Sequence, residues 1–219
     1  MKKLVKGIVE FRQNRIEEYR VKFAKLALGQ SPDTLFIACS DSRVVPNAFA
    51  STDPGDLFVI RNVGNLIPHC GVGGHSTADE SEAAAIEFAI LNLNVKDIVV
   101  CGHSDCGAMH AILEGREKLT APNLRAWLRH GDPALERIDG LKSSLSRVNA
   151  LSQQNVIQQL EHLKTYPVVS GRLAAGTLKL HAWWFELTRA DVFAYEEDLD
   201  QFTIIDEEEA ERIYARLSR

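Results

Sequence analysis

Short apolar segments of strand length, separated by longer helical stretches, constrain the fold of this chain more than any other feature. Four such segments are predicted as buried strands, at residues 34–39, 56–61, 97–102 and 178–187. Because strands that alternate with helices form parallel sheets, the pattern predicts an α/β fold with a mainly parallel central sheet flanked by helices. A chain of 219 residues normally forms one domain, so we expect a single domain over residues 1–219.

Helical periodicity and helix-end signals define the segments between these strands. Helices are predicted over 3–28, 76–93 and 207–219, and Ser76 or Thr77 is the expected cap of the second. A further helix is predicted to start near Cys106. The segment 122–165 is predicted to be helical with breaks around Gly131 and Gly140. Residues 191–195 are predicted to form a hairpin with the fourth strand, and residues 202–205 a further strand.

Charge and hydropathy exclude several classes of protein. The formal net charge is −5, and the sequence has no basic run or basic-aromatic stripe of the kind that binds nucleic acid. The longest apolar runs are too short to cross a bilayer, and the N-terminus lacks the apolar core of a signal peptide. We therefore expect no nucleic-acid partner, no membrane partner and a cytoplasmic location.

Two polar clusters follow directly after predicted strands. The first is Cys39-Ser-Asp-Ser-Arg43, and the second is Gly102-His-Ser-Asp-Cys106. In parallel sheets, functional groups gather beyond the carboxyl ends of the strands, so the two clusters are expected to lie close together. Zinc prefers thiolate and imidazole ligands, and a catalytic zinc site uses three protein ligands and one exchangeable water. Cys39, His103 and Cys106 are therefore candidate zinc ligands.

The spacing of these residues leaves two alternatives open. One is a core histidine beside a buried cysteine, without a metal. The other is a closed structural zinc site with Cys101 as a fourth ligand, because residues 101 and 103 project to the same face of a strand, with α-carbons about 6.6 Å apart. Cys101 lies inside the apolar run 98–101, which favours a buried thiol instead. A chain this long does not need disulfides for stability.

The clusters also resemble those of a known family. Cys39-Ser-Asp-Ser-Arg43, Pro54-Gly-Asp-Leu-Phe-Val-Ile-Arg-Asn62 and Gly102-His-Ser-Asp-Cys-Gly107 closely resemble motifs of the β-class carbonic anhydrases, in the same order and at similar spacing. The similarity is strongest over residues 30–115. The resemblance implies reversible hydration of carbon dioxide to bicarbonate by a zinc-bound hydroxide, with one zinc ion per subunit.

The same resemblance implies roles for individual residues. It makes Cys39, His103 and Cys106 the zinc ligands, and Asp41 and Arg43 a dyad that orients the hydroxide. In the plant-type variant, which this chain resembles, the substrate pocket is lined by residues that match Gln30, Phe58, Val63, Phe88 and the backbone amide of Gly107. A tyrosine is usual where this chain has Phe88, so a polar contact worth about 1 kcal/mol is expected to be lost there.

Self-association is a further implication of the resemblance. It implies a dimer, or an assembly of dimers, in which residues 1–30 form a helical arm on the partner subunit and the subunits share pocket residues. The apolar stripe of the predicted helix 3–28 fits such an arm. Two other functions stay open from the sequence: hydrolysis of carbon disulfide or carbonyl sulfide, and a non-catalytic zinc or redox-responsive protein in which Cys101 closes the site.

Overall fold

The computed structural model describes residues 1–141 and 143–217. Its strands are β1 (Thr34–Cys39), β2 (Leu57–Asn62), β3 (Asp97–His103), β4 (Lys179–Glu186), β5 (Asp191–Glu196) and β6 (Gln201–Ile204). Its helices are α1 (Lys2–Asn14), α2 (Ile16–Leu26), α3 (Pro46–Phe49), α4 (Glu80–Leu91), α5 (Gly107–Leu113), α6 (Pro122–Leu128), α7 (Asp132–Ile138), α8 (Arg147–Lys164), α9 (Pro167–Ala174) and α10 (Glu207–Leu217).

Within the described residues, six strands form one sheet in the order β2-β1-β3-β4-β5-β6. Strands β2, β1, β3 and β4 are parallel to one another, whereas β5 and β6 are added antiparallel at the β4 edge. Strand β1 lies between β2 and β3, with Ala38 opposite Arg61 on one side and Cys101 on the other. The carboxyl ends of three neighbouring strands therefore meet. The predicted α/β fold with a mainly parallel sheet is confirmed.

Both faces of the central strands are buried. Leu35 and Ile37 of β1 face a core shared with α4, α8 and α9, while Phe36 and Ala38 face a second cluster on the other side of the sheet. This alternation follows from the two-residue period of a strand, and burial on both faces is typical of parallel sheets. A third cluster contains Cys39 and packs against α5 to α8, at the end of β1.

The N-terminal segment differs from the single helix predicted over 3–28. Arg15, with φ −129° and ψ −15°, separates α1 from α2. The break brings the ring centroids of Phe11 and Tyr19 to 5.4 Å, whereas eight residues of a straight helix span about 12 Å. Aromatic packing at the bend therefore accounts for two helices instead of one. In the described single chain, neither helix has a buried residue.

Helix α4 begins later than predicted. Its N-cap is Asp79, whose carboxylate accepts a hydrogen bond from the Ser81 amide at 2.7 Å, rather than Ser76 or Thr77. Thr77 instead belongs to a turn, where its amide and its hydroxyl both donate to the His69 carbonyl, at 3.0 and 2.8 Å. The predicted cap residues are thus used by the preceding loop.

The C-terminal half follows the predicted pattern apart from α9, which was not predicted. The segment 122–165 divides near Gly131 and Gly140 into α6, α7 and α8, and β5 pairs antiparallel with β4 as expected. Strand β6 and helix α10 also match their predicted positions, and residues 218–219 of the predicted last helix lie outside the described residues. No helix in the described ranges is both long and apolar enough to span a membrane.

A buried histidine gives the fold a specific dependence on pH. His130 is 6% exposed, its Nε2 has no hydrogen-bond partner among the described residues, and burial lowers its pKa to about 4. The folded chain therefore keeps this imidazole neutral, while the unfolded chain takes up a proton below about pH 6.5. Because the unfolded state binds more protons there, folding stability falls as the pH drops from about 6.5 towards 4.

Substitution of His130 tests this dependence. His130→Phe removes the titrating group and keeps an aromatic ring, so the stability of the variant should depend less on pH. Between pH 7 and pH 5, the original chain is expected to lose about 2 kcal/mol more free energy of unfolding than the variant. Urea titrations of both zinc-loaded proteins measure the difference, and equal losses in the two proteins would contradict the assignment.

Candidate metal centre

Three potential ligands converge where β1 and β3 end. Cys39 is the last residue of β1, His103 is the last residue of β3, and Cys106 directly precedes α5. The two sulfur atoms and an imidazole nitrogen all lie within 4.8 Å of one another, and all three residues are buried. One ion can therefore contact all three side chains.

The turn between His103 and Cys106 depends on Asp105. Its φ of +53° lies in the left-handed region, which aspartate tolerates better than most residues. The Asp105 amide donates to Asn149 Oδ1 at 2.8 Å, so a residue of α8 holds the turn in place. The reversal of the chain at Asp105 brings Cys106 back to the end of the strand.

The hydrogen bonds of His103 leave one of its nitrogens available to a metal. Nδ1 lies 2.9 Å from the Ser104 carbonyl, which can only accept, so Nδ1 carries the proton and Nε2 has a free lone pair. Nε2 is fully buried without a hydrogen-bond partner in the described part of the chain. A buried, unpaired nitrogen is costly, and a metal ion would satisfy it. The donor set, two sulfurs and one imidazole, is one that zinc prefers.

The two sulfurs influence each other strongly. A hydrogen bond from Cys106 lowers the pKa of the Cys39 thiol, and the Cys39 sulfur together with burial raises the pKa of Cys106. The amide of Gly64 also donates to Cys39 Sγ, at 3.3 Å. Cys39 is therefore the acceptor of this pair and Cys106 the donor. A divalent cation would bind both sulfurs as thiolates, because the deprotonated form of cysteine is the metal ligand.

Cys101 is separate from this group. It is completely buried, its thiol donates to the Gly102 carbonyl at 3.4 Å, and burial raises its pKa. The ligand group found among the described residues does not include it, so a closed site with Cys101 as fourth ligand is not supported. The prediction that Cys101 is a buried thiol is confirmed. All four cysteines are free of disulfides.

A carboxylate held by an arginine borders the ligand group. Arg43 Nε and Nη2 donate to the two carboxylate oxygens of Asp41, at 2.9 and 2.7 Å, and the Arg43 amide donates to Oδ1 at 2.9 Å. These bonds from Arg43 hold the pKa of Asp41 well below its usual range, so the carboxylate is ionised. Asp41 Oδ2 lies 3.9 Å from the unpaired Nε2 of His103.

Arg61 supports this arrangement, although the sequence analysis gave it no role. Its guanidinium donates to the Cys39 carbonyl at 3.1 and 3.0 Å and to the Asp41 carbonyl at 2.7 Å. The backbone that carries Cys39 and Asp41 is therefore fixed from β2. The sequence does place Arg61 at the end of a predicted strand. Its contacts with the Cys39 and Asp41 carbonyls could not be predicted without knowing that β2 pairs with β1.

The predicted substrate residues lie in three different places. Val63 directly precedes Gly64, whose amide donates a hydrogen bond to Cys39 Sγ, and Gly107 directly follows Cys106. Both residues are therefore next to the ligand group. Phe58 and Phe88 instead contact each other, with ring centroids 5.8 Å apart, and Phe58 packs against the core beside α4. Gln30 is exposed between α2 and β1 and has no hydrogen bond or ion pair among the described residues.

Comparison with known proteins agrees with the chemistry of this site. The family model described as carbonic anhydrase matches residues 34–192. A carbonic anhydrase from Synechocystis sp. is 39% identical over 208 residues, which cover 92% of this chain and 73% of that protein. A carbonic anhydrase from Pseudomonas aeruginosa is 40% identical over 189 residues, which cover 85% of this chain and 84% of that protein.

Solved structures extend the similarity to the fold. The β-carbonic anhydrase CcaA superposes with a TM-score of 0.85 and 37% identity, over 94% of this chain and 92% of that one. A tetrameric β-carbonic anhydrase from Sordaria macrospora gives a TM-score of 0.76 and 28% identity, over 92% of this chain and 98% of that one. The ligand group, the sheet and these similarities agree, and the chain belongs to the β-class carbonic anhydrases, zinc enzymes that interconvert carbon dioxide and bicarbonate.

Proposed function

We propose that this chain hydrates carbon dioxide with Cys39, His103 and Cys106 as the zinc ligands and with Asp41 and Arg43 as an orienting dyad. The observation that carries the proposal is the buried, unpaired Nε2 of His103, which lies beside two sulfurs and 3.9 Å from a carboxylate. Zinc, when bound, lowers the pKa of water from 15.7 to about 7 in the three-histidine carbonic anhydrase, and so supplies a nucleophile near neutral pH.

Asp41 acts in this proposal as a hydrogen-bond acceptor. An ionised carboxylate cannot donate, so it would accept a hydrogen bond from the attacking oxygen and direct the lone pair of that oxygen towards carbon dioxide. Arg43 keeps Asp41 ionised and holds both carboxylate oxygens in a fixed plane. The bond from Arg61 to the Asp41 carbonyl restrains the backbone at the same residue. The carboxylate is thus prearranged before substrate binds.

We further propose that the substrate pocket is shared between two copies of the chain. Val63 and Gly107 would contribute from the same subunit as the ligands, and Gln30, Phe58 and Phe88 from the same or the partner subunit. Residues 1–30 would form an arm on that partner. Support comes from the exposed apolar side chains of α1, such as Leu4 and Ile8, and from the tetrameric relative in Sordaria macrospora. The cytoplasmic location stays a prediction.

Substitution of Arg43 separates the dyad from metal binding. Arg43→Gln removes a bidentate, charge-assisted interaction, so Asp41 loses its fixed orientation while the three ligands stay in place. We expect kcat/KM for carbon dioxide hydration to fall about 10- to 100-fold with zinc content unchanged, since such bonds contribute about 1.5–3 kcal/mol. Stopped-flow hydration assays and metal analysis of the same preparation measure both quantities.

The exposed ion pair between Arg147 and Asp139, at 3.4 Å, offers a matched control. Arg147→Gln breaks this ion pair, which lies far along the chain from the ligands. The substitution should leave kcat/KM unchanged. If Arg43→Gln retained full activity, or lost zinc together with activity, the proposed orienting role would be wrong.

A further inference from the structure

One peptide group connects the indole of Trp127 to the sulfur of Cys39. Trp127 Nε1 donates to the Val63 carbonyl at 2.8 Å. The N–H of that same peptide group, which belongs to Gly64, donates to Cys39 Sγ at 3.3 Å. Because a trans peptide is planar, with its carbonyl and N–H pointing in opposite directions, a bond that fixes the carbonyl also fixes the direction of the N–H.

The backbone at Gly64 requires glycine. Its φ is +86°, and a Cβ at this position would lie 2.9 Å from the Cβ of Ala108 in α5. The next carbonyl, that of Gly64 itself, accepts a hydrogen bond from Asn155 Nδ2 at 3.1 Å, and Asn155 is 1% exposed. Side chains thus hold both carbonyls that flank the Gly64 backbone, and the absence of a side chain lets its amide reach the sulfur.

Trp127 is itself held in place. Its ring packs against the hydrophobic cluster that contains Cys39 and Cys106, and lies 5.5 Å from the ring of His130 at an interplanar angle of 69°. A hydrogen bond donated to a carbonyl polarises the peptide group. The N–H of the same peptide group then becomes a stronger hydrogen-bond donor. Hydrogen bonds to a thiolate hold it in position and tune the metal that it binds.

We propose that Trp127 is a positioning residue of the zinc site, which acts through the Val63–Gly64 peptide on the sulfur of Cys39. The proposal rests on Cys39 being a zinc ligand, as in the proposed function. Loss of the indole N–H leaves the peptide free to tilt, so the Gly64 amide no longer points steadily at the sulfur. The chain should then bind zinc more weakly. The electron donation from the Cys39 sulfur to a bound metal should also change.

The test uses two replacements of Trp127 in the full chain. Trp127→Phe removes the N–H and part of the ring, while site-specific replacement by 3-benzothienylalanine exchanges the N–H for a sulfur that cannot donate and keeps nearly the same ring shape. We expect both replacements to weaken zinc affinity about 10-fold in chelator competition. This is the lower end of the 10- to 100-fold that direct partners of metal ligands contribute, because Trp127 acts one hydrogen bond further away. Both should also shift the thiolate-to-cobalt charge-transfer band of the cobalt-substituted protein in the same direction.

Trp183→Phe is the matched control. Trp183 packs edge-on against Phe36 on the other face of the sheet, and its replacement should change neither the zinc affinity nor the cobalt band. If zinc affinity stayed within twofold of the original chain in both Trp127 replacements, the proposal would be overturned. A loss of affinity confined to Trp127→Phe would overturn it as well, because lost packing would then explain the weaker binding. Zinc affinity and the cobalt band are measured without catalysis. A negative result for Trp127 can therefore be distinguished from a failure of the proposed function, which would appear as absence of carbon dioxide hydration in the zinc-loaded chain.

Discussion

Replacement of Cys106 by alanine is expected to lower zinc affinity by more than about 100-fold and to abolish carbon dioxide hydration. The residues around metal ligands typically contribute 10- to 100-fold to affinity, so a ligand itself should contribute more. Cys106 is 1% exposed and belongs to the convergent group of three donors. Zinc content after dialysis, zinc affinity in chelator competition and stopped-flow hydration assays measure the loss.

Cys101→Ala is a stringent control for that experiment. Cys101 is also completely buried, lies two residues before His103 and carries the same thiol, but it bonds the Gly102 carbonyl and not the ligand group. The variant should retain zinc and activity, with only a modest loss of stability from the small cavity. Loss of zinc in Cys101→Ala, or full zinc binding in Cys106→Ala, would mean that the ligand set is wrong.

The substitution Asp41→Asn is expected to lower kcat/KM for carbon dioxide hydration about 100-fold, while zinc stays bound. Asparagine keeps the size of the side chain but replaces one carboxylate oxygen by a donor amide, which opposes the guanidinium of Arg43 or the attacking oxygen. Loss of this acceptor leaves the attacking oxygen poorly oriented, and a misplacement of about 1 Å can cost about 100-fold in rate. Stopped-flow assays at equal zinc content give the ratio.

Asp139→Asn provides the comparison, because Asp139 forms an exposed ion pair with Arg147. Exposed pairs contribute little, so this variant should keep full activity and stability. Activity of Asp41→Asn within threefold of the original chain would remove Asp41 from the proposed mechanism. Equal losses in both variants would point to a general effect of lost charge instead.

The sequence predicted best those features that depend on residues close together in the chain. Strand β1 has the predicted bounds because a mainly apolar run ends at a polar cluster, and the strand-end position of Cys39 follows directly. The turn at Asp105 could likewise be anticipated from a compact polar motif after a strand. These local patterns predicted the fold class and a candidate group of ligands, and the resemblance of the motifs to a known family predicted the family.

Features that depend on distant residues were beyond local patterns. The break at Arg15 depends on aromatic rings that meet only in the bent chain, and the start of α4 depends on a turn that uses Thr77. The role of Arg61 needs the pairing of β2 with β1, and the bond from Trp127 to the Val63 carbonyl joins residues 64 positions apart. A single sequence does not show which distant residues meet in the folded chain, although it did single out the three residues that converge in the structure.

X-ray absorption at the zinc edge of the zinc-loaded chain tests the central claim most directly. The claim is that two sulfurs and one imidazole hold the ion, with Cys101 apart from it. We predict two sulfur scatterers at about 2.3 Å, together with nitrogen or oxygen scatterers at about 2.0–2.1 Å that include the multiple-scattering signature of one imidazole. Three sulfur scatterers, or no imidazole contribution, would contradict the account.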